Sequence, residues 1–542
     1  MLNVSNISLQ FSDRKLFDDV NITFTPGNCY GVIGANGAGK STFLKILSGE
    51  ISPTTGTVTM DPNERLAVLS QDHYGFEDYQ VLETVMMGHK ELYNIMKEKD
   101  AIYLKPDFSE EDGIRAGELE AQFSEIGGWE AESEASDMLQ GLGIPTSAHY
   151  QYMRELPEGD KIKVLLAQAL FGKPDNLLLD EPTNGLDAQA VSWLSDFILD
   201  FPNTVIVVSH DRHFLNTVCT HMADVDFGKI KIYVGNYDFW LQSSQLAAKM
   251  AADQNSKKEE KIKELQNFIA RFSANASKSK QATSRKKLLE KITLDDIQPS
   301  SRRYPYVGFE PAREIGNDLL RVEGISKTID GEKILDNITF TLQRTDKVAI
   351  LGRHDLAATT FFDIIMGRME PDSGSFEWGV TTSQTYLPRN SADEFEGVEL
   401  SIVDWLSQFA SKEEQDQTFL RSFLGRMLFS GDDVKKSVNV LSGGEKVRTI
   451  LSKMMLSKAN VLVLDQPTNH LDLESITALN DGLIKFKGAI LMASHDYEVL
   501  NTTCNRVIEL TPNGASDHIN TTYEEYISNK DIQRRVDELY QA

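Results

Sequence analysis

Short apolar runs that end in polar or glycine-rich turns recur along the chain and indicate the buried strands of an α/β fold. The run CYGVIG ends at Gly34 and is followed by a stretch from Lys40 to Leu47, which predicts a strand, a glycine-rich turn and a helix. The run LLL ends just before Asp180, and the run VIVV ends two residues before His210. Alternating strands and helices of this kind are typical of a parallel sheet covered by helices.

The same series of elements occurs twice at the same spacing. Residues 34 and 49 are 15 apart, as are 352 and 367; residues 156 and 180 are 24 apart, as are 441 and 465; residues 180 and 210 are 30 apart, as are 465 and 495. This agreement predicts tandem homologous domains. One interval differs, because residues 34 and 156 are 122 apart whereas 352 and 441 are 89 apart. We therefore predict a first domain at 1–238 with a helical arm inserted at about 88–128, a linker at 239–318, and a second domain at 319–542.

The turn after the first strand has the pattern of a phosphate-binding loop, GANGAGKS. A glycine-rich turn that leads into a helix directs backbone N–H groups at phosphate, and Lys40 would add a positive charge. Ser41 would supply a hydroxyl ligand for Mg²⁺, Asp180 would hold the metal through water, and Gln71 would sense both. Glu181 would activate the attacking water, and His210 would contact the terminal phosphate. Lys40, Glu181 and His210 are thus the predicted catalytic residues. The predicted nucleotide-binding residues of the first domain are Phe11, Gly34, Ala35, Asn36, Gly37, Ala38, Gly39, Lys40, Ser41, Thr42 and Gln71.

The two copies have complementary defects. The first has an intact loop but reads LPEGD at 156–160, where the second reads LSGGE at 441–445. The second has Ala357 and Ala358 where the loop requires glycine and lysine. If each nucleotide lies between the loop of one copy and the helix-start motif of the other, the chain builds one complete site and one defective site. The predicted contacts from the second copy to the complete site are Ser442, Gly443, Gly444 and Glu445.

The second copy has also lost other parts of the site. Gln466 corresponds to Glu181, Arg389 approximately to Gln71, and Ile329 to Phe11. An amide cannot act as a base, so we expect the second site to be non-hydrolytic. Thr359 and His495 remain, which is equally consistent with residual nucleotide binding and with inheritance without use.

Composition narrows the class of protein. Three cysteines without clustered spacing suggest reduced thiols in a cytoplasmic protein, and no apolar run is long enough for a membrane helix. The net charge of −26 argues against indiscriminate binding to nucleic acid. Between residues 257 and 291, however, eleven Lys and Arg face four Glu, so this segment is locally basic.

The basic segment lies in the predicted linker. Apolar residues at 262, 265, 268, 269 and 272 recur at helical spacing, a polar break follows, and 278–292 resumes a basic helix, which predicts two antiparallel helices. Six basic residues at the turn are candidates for RNA binding: Arg271, Lys278, Lys280, Arg285, Lys286 and Lys287. From charge alone, a solvated hairpin that merely joins the domains is equally consistent.

These motifs resemble those of the ATP-binding cassette superfamily over nearly the whole chain. Two cassettes without membrane spans, joined by a linker that reads RFSANASKSKQATSR at 271–285, resemble the ABC-F family of ribosome-associated ATPases. The resemblance implies two tandem α/β P-loop domains joined by an α-helical hairpin, with ATP and Mg²⁺ as cofactors. In that family the hairpin reaches from the ribosomal tRNA exit site towards the tRNA in the peptidyl site. This chain departs from the family where two intact sites are usual.

We therefore expect a cytoplasmic monomer whose cassettes pair with each other, hydrolyse ATP at one composite site and act on the ribosome through rRNA and peptidyl-site tRNA. Its role would be to regulate translation or to protect it from antibiotics. One alternative is an energy-coupling ATPase subunit of a membrane transporter with a separate transmembrane partner. A second is a regulatory binder in which ATP only switches shape.

Overall fold

The computed structural model describes residues 1–11, 14–69, 74–186, 188–247, 249–250, 302–314, 316–353 and 356–541. Gln71 of the predicted nucleotide site lies outside these ranges, as does the predicted pair of linker helices at 262–292. All six candidate RNA-binding residues are therefore outside the described chain: Arg271, Lys278, Lys280, Arg285, Lys286 and Lys287.

The first domain combines two sheets with eight described helices. Its strands are β1 (Leu2–Phe11), β2 (Arg14–Phe24), β3 (Cys29–Gly34), β4 (Thr55–Thr59), β5 (Leu66–Val68), β6 (Asn176–Asp180), β7 (Thr204–Val208), β8 (His221–Asp226) and β9 (Lys229–Val234). Its helices are α1 (Lys40–Leu47), α2 (Val81–Met86), α3 (Lys90–Tyr103), α4 (Glu110–Glu125), α5 (Ala131–Gly141), α6 (Glu158–Leu170), α7 (Ala188–Leu199) and α8 (Arg212–Val218).

The second domain repeats this architecture. Its strands are β10 (Asp318–Ile329), β11 (Glu332–Gln343), β12 (Lys347–Leu351), β13 (Ser373–Trp378), β14 (Gln384–Leu387), β15 (Val461–Asp465), β16 (Ala489–Ala493), β17 (Arg506–Thr511) and β18 (Gly514–Ile519). Its helices are α9 (Ala357–Ile365), α10 (Ile402–Ser407), α11 (Gln417–Arg426), α12 (Gly443–Ser457), α13 (Leu473–Lys485), α14 (Tyr497–Thr503), α15 (Tyr523–Ser528) and α16 (Lys530–Gln541).

The sheets of the two domains have the same topology. The large sheets have the strand orders β5-β6-β7-β3-β8-β9 and β14-β15-β16-β12-β17-β18, and the small antiparallel sheets are β2-β1-β4 and β11-β10-β13. In each large sheet only the last strand is antiparallel. The predicted fold of two tandem α/β P-loop domains is confirmed.

The parallel topology explains why distant motifs meet. Strands β3, β6 and β7 are adjacent and almost completely buried, and most of their residues are apolar or glycine. The carboxyl ends of parallel strands lie at one edge of the sheet, where ligands bind in open α/β folds. The phosphate-binding loop after β3, Glu181 after β6 and His210 after β7 therefore lie at the same edge.

The main difference between the domains lies before the helix-start motif. Four helices, α2 to α5, lie between β5 and α6, whereas two, α10 and α11, lie between β14 and α12. Helices α3 and α4 pack on each other and fall in the segment predicted as the inserted arm. Ser109 caps α4 by accepting a hydrogen bond from the N–H of Asp112, which starts the second arm helix.

The two domains contact each other directly. Leu473 of the second domain is buried in the main apolar core of the first, and the ring of His213 stacks on Tyr497 with centroids 3.9 Å apart. None of the described helices is long and apolar enough to cross a membrane.

Candidate functional site

The loop between β3 and α1 requires glycine. Gly37 and Gly39 have φ of 77° and 103°, in the left-handed region that residues with a Cβ rarely adopt. A Cβ on Gly34 would lie 2.7 Å from the carbonyl oxygen of Val225, and one on Gly39 would lie 2.9 Å from Leu16. The loop therefore has no room for a side chain at Gly34 and Gly39, and its backbone is left free to approach phosphate at a helix N-terminus.

Lys40 is held over this loop. Its side chain is buried, and Nζ donates a hydrogen bond to the carbonyl oxygen of Gly34 at 2.8 Å. Burial lowers the pKa of Lys40, while the carboxylates of Glu181, Glu474 and Asp472 oppose that shift. Glu474 and Asp472 belong to the second domain, so that domain lies beside the first loop.

Glu181 and His210 form a close pair at the ends of β6 and β7. The N–H of His210 donates to Oε2 of Glu181 at 3.1 Å, and Nε2 of His210 lies 3.3 Å from Oε1. Burial raises the pKa of Glu181 to about 7 and lowers the pKa of His210 to about 4. The imidazole is therefore neutral at neutral pH, and the contact is not an ion pair. A carboxyl group that titrates near pH 7 is well matched to taking a proton from water.

One cavity gathers most of the predicted catalytic groups. Lys40, Ser41 and Thr42 line it together with Glu181 and His210. These side chains come from three different elements, so the fold rather than local sequence brings them together.

Of two further predicted residues, Asp180 adjoins Glu181, whereas Phe11 lies outside the cavity that contains Lys40. Asp180 is the last residue of β6, next to Glu181, and is partly buried. Phe11 ends β1, is 53% exposed, and does not line the cavity that contains Lys40. The position of Gln71 lies outside the described residues. Stacking of Phe11 on the adenine base therefore stays a prediction. Most of the residues predicted to contact the phosphates, in contrast, line one cavity.

The oxygen donors of the first domain fit Mg²⁺, which prefers hydroxyl, carboxylate and water ligands. In the second domain, Oγ1 of Thr359 donates to Oδ2 of Asp465 at 2.6 Å. Ser41 and Asp180 occupy the corresponding positions. The hydroxyl and carboxylate at these two positions can thus reach a common point.

The helix-start motif of the second domain is well formed. Ser442 is the N-cap of α12, and its N–H donates to Oε2 of Glu445 at 2.9 Å in a reciprocal capping box. A Cβ on Gly444 would lie 2.7 Å from the carbonyl oxygen of His470, and one on Gly443 would lie 2.9 Å from the imidazole of His470. Glycine is needed at both positions because the chain at His470 approaches the helix so closely.

The intact loop and the intact motif face each other across the domain interface. Asn36 of the first loop lines a cavity with the motif and two of its neighbours; the second-domain residues are Ser442, Gly443, Gly444, Glu445, Arg448 and His470. A nucleotide sandwiched between the two domains requires this arrangement.

The second loop differs in geometry as well as charge. Helix α9 begins at Ala357, which corresponds to Gly39, so it starts one residue earlier than α1. Ala357 is buried and Ala358 is partly buried against the apolar core of the second domain. The second loop has neither the left-handed glycine nor the lysine that are predicted to bind phosphate in the first domain.

The helix start of the first domain that corresponds to the Ser442 motif is built differently. Helix α6 begins at Glu158, and its N-cap Pro157 makes no side-chain hydrogen bond to the helix. Gly352, Arg353 and Ala358 line the same cavity as Lys40, and neither 156–160 nor 442–445 is among its lining residues. The difference between the two helix starts is therefore in their caps: Ser442 forms a capping box, whereas Pro157 does not.

Sequence reasoning missed the second-domain segment that reaches the first loop, which includes His470, Asp472 and Glu474. Its signal was present, because NHLDLE at 469–474 follows Asp465 at the spacing with which NGLDAQ at 184–189 follows Asp180. The repeated spacing draws attention to the segment, but only the structure shows that it lies at the domain interface beside the first loop.

Comparison with known proteins supports these assignments at the level of family. A family model described as ABC transporter matches residues 17–184 and 335–469, and another with the same description matches 223–309. The chain is similar to the "Uncharacterized ABC transporter ATP-binding protein YkpA" of Bacillus subtilis (strain 168), with 67% identity and complete coverage of both chains. It is also similar to the "Probable ATP-binding protein YbiT" of Escherichia coli O157:H7, with 45% identity over 98% of this chain and 100% of the relative.

A solved structure shares the fold. The protein named RNase-L Inhibitor superposes with a TM-score of 0.60 at 17% identity, over 99% of this chain and 93% of that chain. The family model covers more than half of the chain and the relatives match it from end to end, so the protein is a tandem-cassette ATPase of the ABC-F family.

Proposed function

We propose that the protein hydrolyses ATP at one composite site, and that this site drives its action on the ribosome. The observation that carries the first part is that Asn36 of the intact loop and the Ser442 motif line one cavity. The proposed nucleotide ligands are the first-domain loop from Gly34 to Thr42, with Phe11 and Gln71, and the second-domain motif 442–445.

The geometry assigns each catalytic group a task. Lys40 supplies the charge that holds the outer phosphates, and its contact with the Gly34 carbonyl keeps it over the loop. Glu181 takes the proton from the attacking water. His210 keeps that carboxylate in place through its N–H and, being neutral, can donate to a phosphate oxygen.

Mg²⁺ would be held by Ser41 and Asp180, with Gln71, and would neutralise charge on the phosphates. Closure of the second domain brings the helix N-terminus at Ser442 to the nucleotide from the other side. An N-terminus carries a partial positive charge and free N–H groups, so it stabilises phosphate.

The second site is proposed to be non-hydrolytic. Gln466 occupies the position of Glu181 and keeps its structural hydrogen bond, because Oε1 accepts from the N–H of His495 at 3.2 Å. It cannot accept a proton from water. Together with Ala358, this leaves neither a base nor a phosphate-binding lysine.

The ribosomal part of the proposal rests on the basic linker and on membership of the ABC-F family. We propose that the protein is a cytoplasmic monomer whose linker meets rRNA and the peptidyl-site tRNA from the exit site. Its action would regulate translation or protect it from antibiotics.

The alternative, an energy-coupling subunit of a membrane transporter, is favoured by the family model's description and by the name of the Bacillus subtilis relative. Co-sedimentation separates the two functions. In ATP, Glu181→Gln should pellet with 70S ribosomes, and in ADP it should not. Equal amounts in the pellet with both nucleotides, at the level of a no-ribosome control, would contradict the ribosomal function.

A further inference from the structure

Arg302 lies between carboxylates from the two domains. Its Nη2 donates to Oδ1 of Asp224, on β8, at 2.7 Å, and its Nε lies 2.9 Å from Oε1 of Glu474, on α13. The three side chains are only 8%, 12% and 6% exposed. The guanidinium also lies over the ring of Trp240, 4.4 Å from its centroid. A buried arginine with two carboxylates is a high-energy arrangement unless all three charges are matched.

The backbone that follows Arg302 is hydrogen-bonded to the second domain. The N–H of Tyr306 donates to the carbonyl oxygen of Arg426 at 2.9 Å, and the N–H of Gly308 donates to Sδ of Met455 at 3.2 Å. Met455 lies in α12, the helix that begins with the Ser442 motif. The pair between Arg302 and Asp224 therefore joins a segment carried by the second domain to the first.

This ion cluster lies at the edge of the composite site. Asp224 pairs in the sheet with Ile33, the residue before Gly34 of the loop, and Glu474 lies four residues after His470, which lines the cavity shared by Asn36 and the Ser442 motif. Arg302 and Glu474 also act electrostatically on Lys40, with opposite signs. Without Arg302, Glu474 would lose this ion pair and Asp224 would keep its hydrogen bond from Nε1 of Trp240. Two buried carboxylates would then lie beside the place where a triphosphate binds without the arginine between them. Like charges in such a region repel more strongly than in water.

The corresponding positions at the defective site are built differently. Asp224 pairs with Ile33 in the sheet and Glu509 pairs with Leu351 at the equivalent place. Glu509 is satisfied by the hydroxyls of two tyrosines, Tyr526 and Tyr540, each at 2.9 Å. The counterpart of Glu474 is the neutral Gln189. Beside the defective loop the arginine is Arg353 of the loop itself, which pairs with Asp537 of the same domain and lies over the ring of Tyr540. An arginine that pairs with carboxylates of both domains is described beside the loop that has kept its lysine.

We propose that Arg302 is a positioning residue of the composite ATP site: it crosses the domain interface, reduces the repulsion between Asp224 and Glu474 and the phosphates held by Lys40, and so permits the domains to close on ATP. This proposal rests on the proposed function of that site. Arg302 does not touch the reacting atoms, so it sets the affinity for ATP rather than the rate of the chemical step.

The test measures ATP binding without turnover. A fluorescent ATP analogue with Mg²⁺ is titrated into Glu181→Gln protein carrying Arg302→Met, and KM and kcat are measured in the parent background. Affinity should fall by on the order of tenfold or more, as for other buried interfacial charge pairs, and KM should rise while kcat changes by less than about threefold. Arg303→Met is the matched control, because Arg303 is exposed and adjacent in sequence; it should leave affinity unchanged.

The double variant Arg302→Met/Glu474→Gln separates charge compensation from a merely structural role. It removes one carboxylate together with the arginine, so the cluster has the same net charge as in the parent, and affinity should return to within about threefold of the parent. An Arg302→Met protein that loses thermal stability but binds ATP as the parent does would overturn the proposal, as would a double variant that recovers stability but not affinity. If Arg302→Met does not fold, the ATP affinity of the double variant is compared with that of the parent. A difference of more than about threefold then overturns the proposal. Failure of the proposed function would show separately, as turnover that persists in Glu181→Gln.

Discussion

Glu181 and Gln466 hold the same unusual backbone conformation, with φ of 52° and 51°. Each side chain accepts a hydrogen bond from the N–H of the histidine 29 residues further along the chain, at 3.1 Å and 3.2 Å. A non-glycine residue in the left-handed region is strained and persists only where the surrounding structure enforces it. The second domain has therefore kept the shape of the catalytic turn and lost only its base.

Turnover should depend on the first of these residues alone. Glu181→Gln should lower kcat by on the order of 10²–10⁴-fold, because a general base is lost while the turn is preserved. Gln466→Glu is the reciprocal control and should not raise kcat, since Ala358 still lacks the charge for phosphate. Steady-state phosphate release measures both; a Glu181→Gln protein that keeps more than a tenth of the parent rate would place hydrolysis elsewhere.

Stability should show the burial of Glu181. Its folded pKa of about 7 exceeds the ordinary value of 4.5, so between these pH values the folded protein retains a proton that the unfolded chain has released. The free energy of unfolding that depends on Glu181 thus falls as pH rises through this window. Without nucleotide, Glu181→Gln should be more stable than the parent by up to about 3 kcal/mol at pH 8 and by little at pH 5.

Denaturant unfolding at the two pH values measures this difference. Gln466→Glu is again the reciprocal control and should be less stable than the parent at pH 8, because it buries a new carboxylate. A stability difference for Glu181→Gln that is the same at pH 5 and pH 8 would show that the carboxyl group is not held in a desolvated site.

The basic linker should act through charge. If its six candidate residues meet RNA phosphates, neutralising any one of them should weaken ribosome association modestly and lower the slope of log affinity against log salt by about one unit. Hydrolysis by the free protein should barely change. Co-sedimentation across a salt titration provides the measurement, and a six-fold alanine variant that binds like the parent would reduce the linker to a solvated connection. The six positions are Arg271, Lys278, Lys280, Arg285, Lys286 and Lys287.

The motifs that follow the parallel strands could be predicted from the sequence. The turns after β3, β6 and β7 are recognisable because each follows a buried apolar strand, at a spacing that repeats in the second domain. The pairing of the first loop with the Ser442 motif was predicted by matching one copy's defects with the other's, and Asn36 and the motif line one cavity in the structure.

Other features depend on contacts that no local pattern encodes. Arg302 meets Asp224 and Glu474, which lie 78 and 172 residues away in the chain; a single arginine in a linker gives no sign of such partners. The early start of α9 at Ala357 reflects the loss of a left-handed glycine, which the sequence shows as a substitution but not as a change in helix length.

The central claim is that the one working site lies between the loop of the first domain and the motif of the second. The most direct test compares ATP turnover of Ser442→Arg with that of Glu158→Arg. Ser442→Arg should abolish hydrolysis, because a bulky side chain then fills the cavity shared with Asn36. Glu158→Arg changes the exposed start of α6 and should leave kcat within about twofold of the parent. Equal losses from the two substitutions would contradict the account, because they would show that both composite sites hydrolyse ATP.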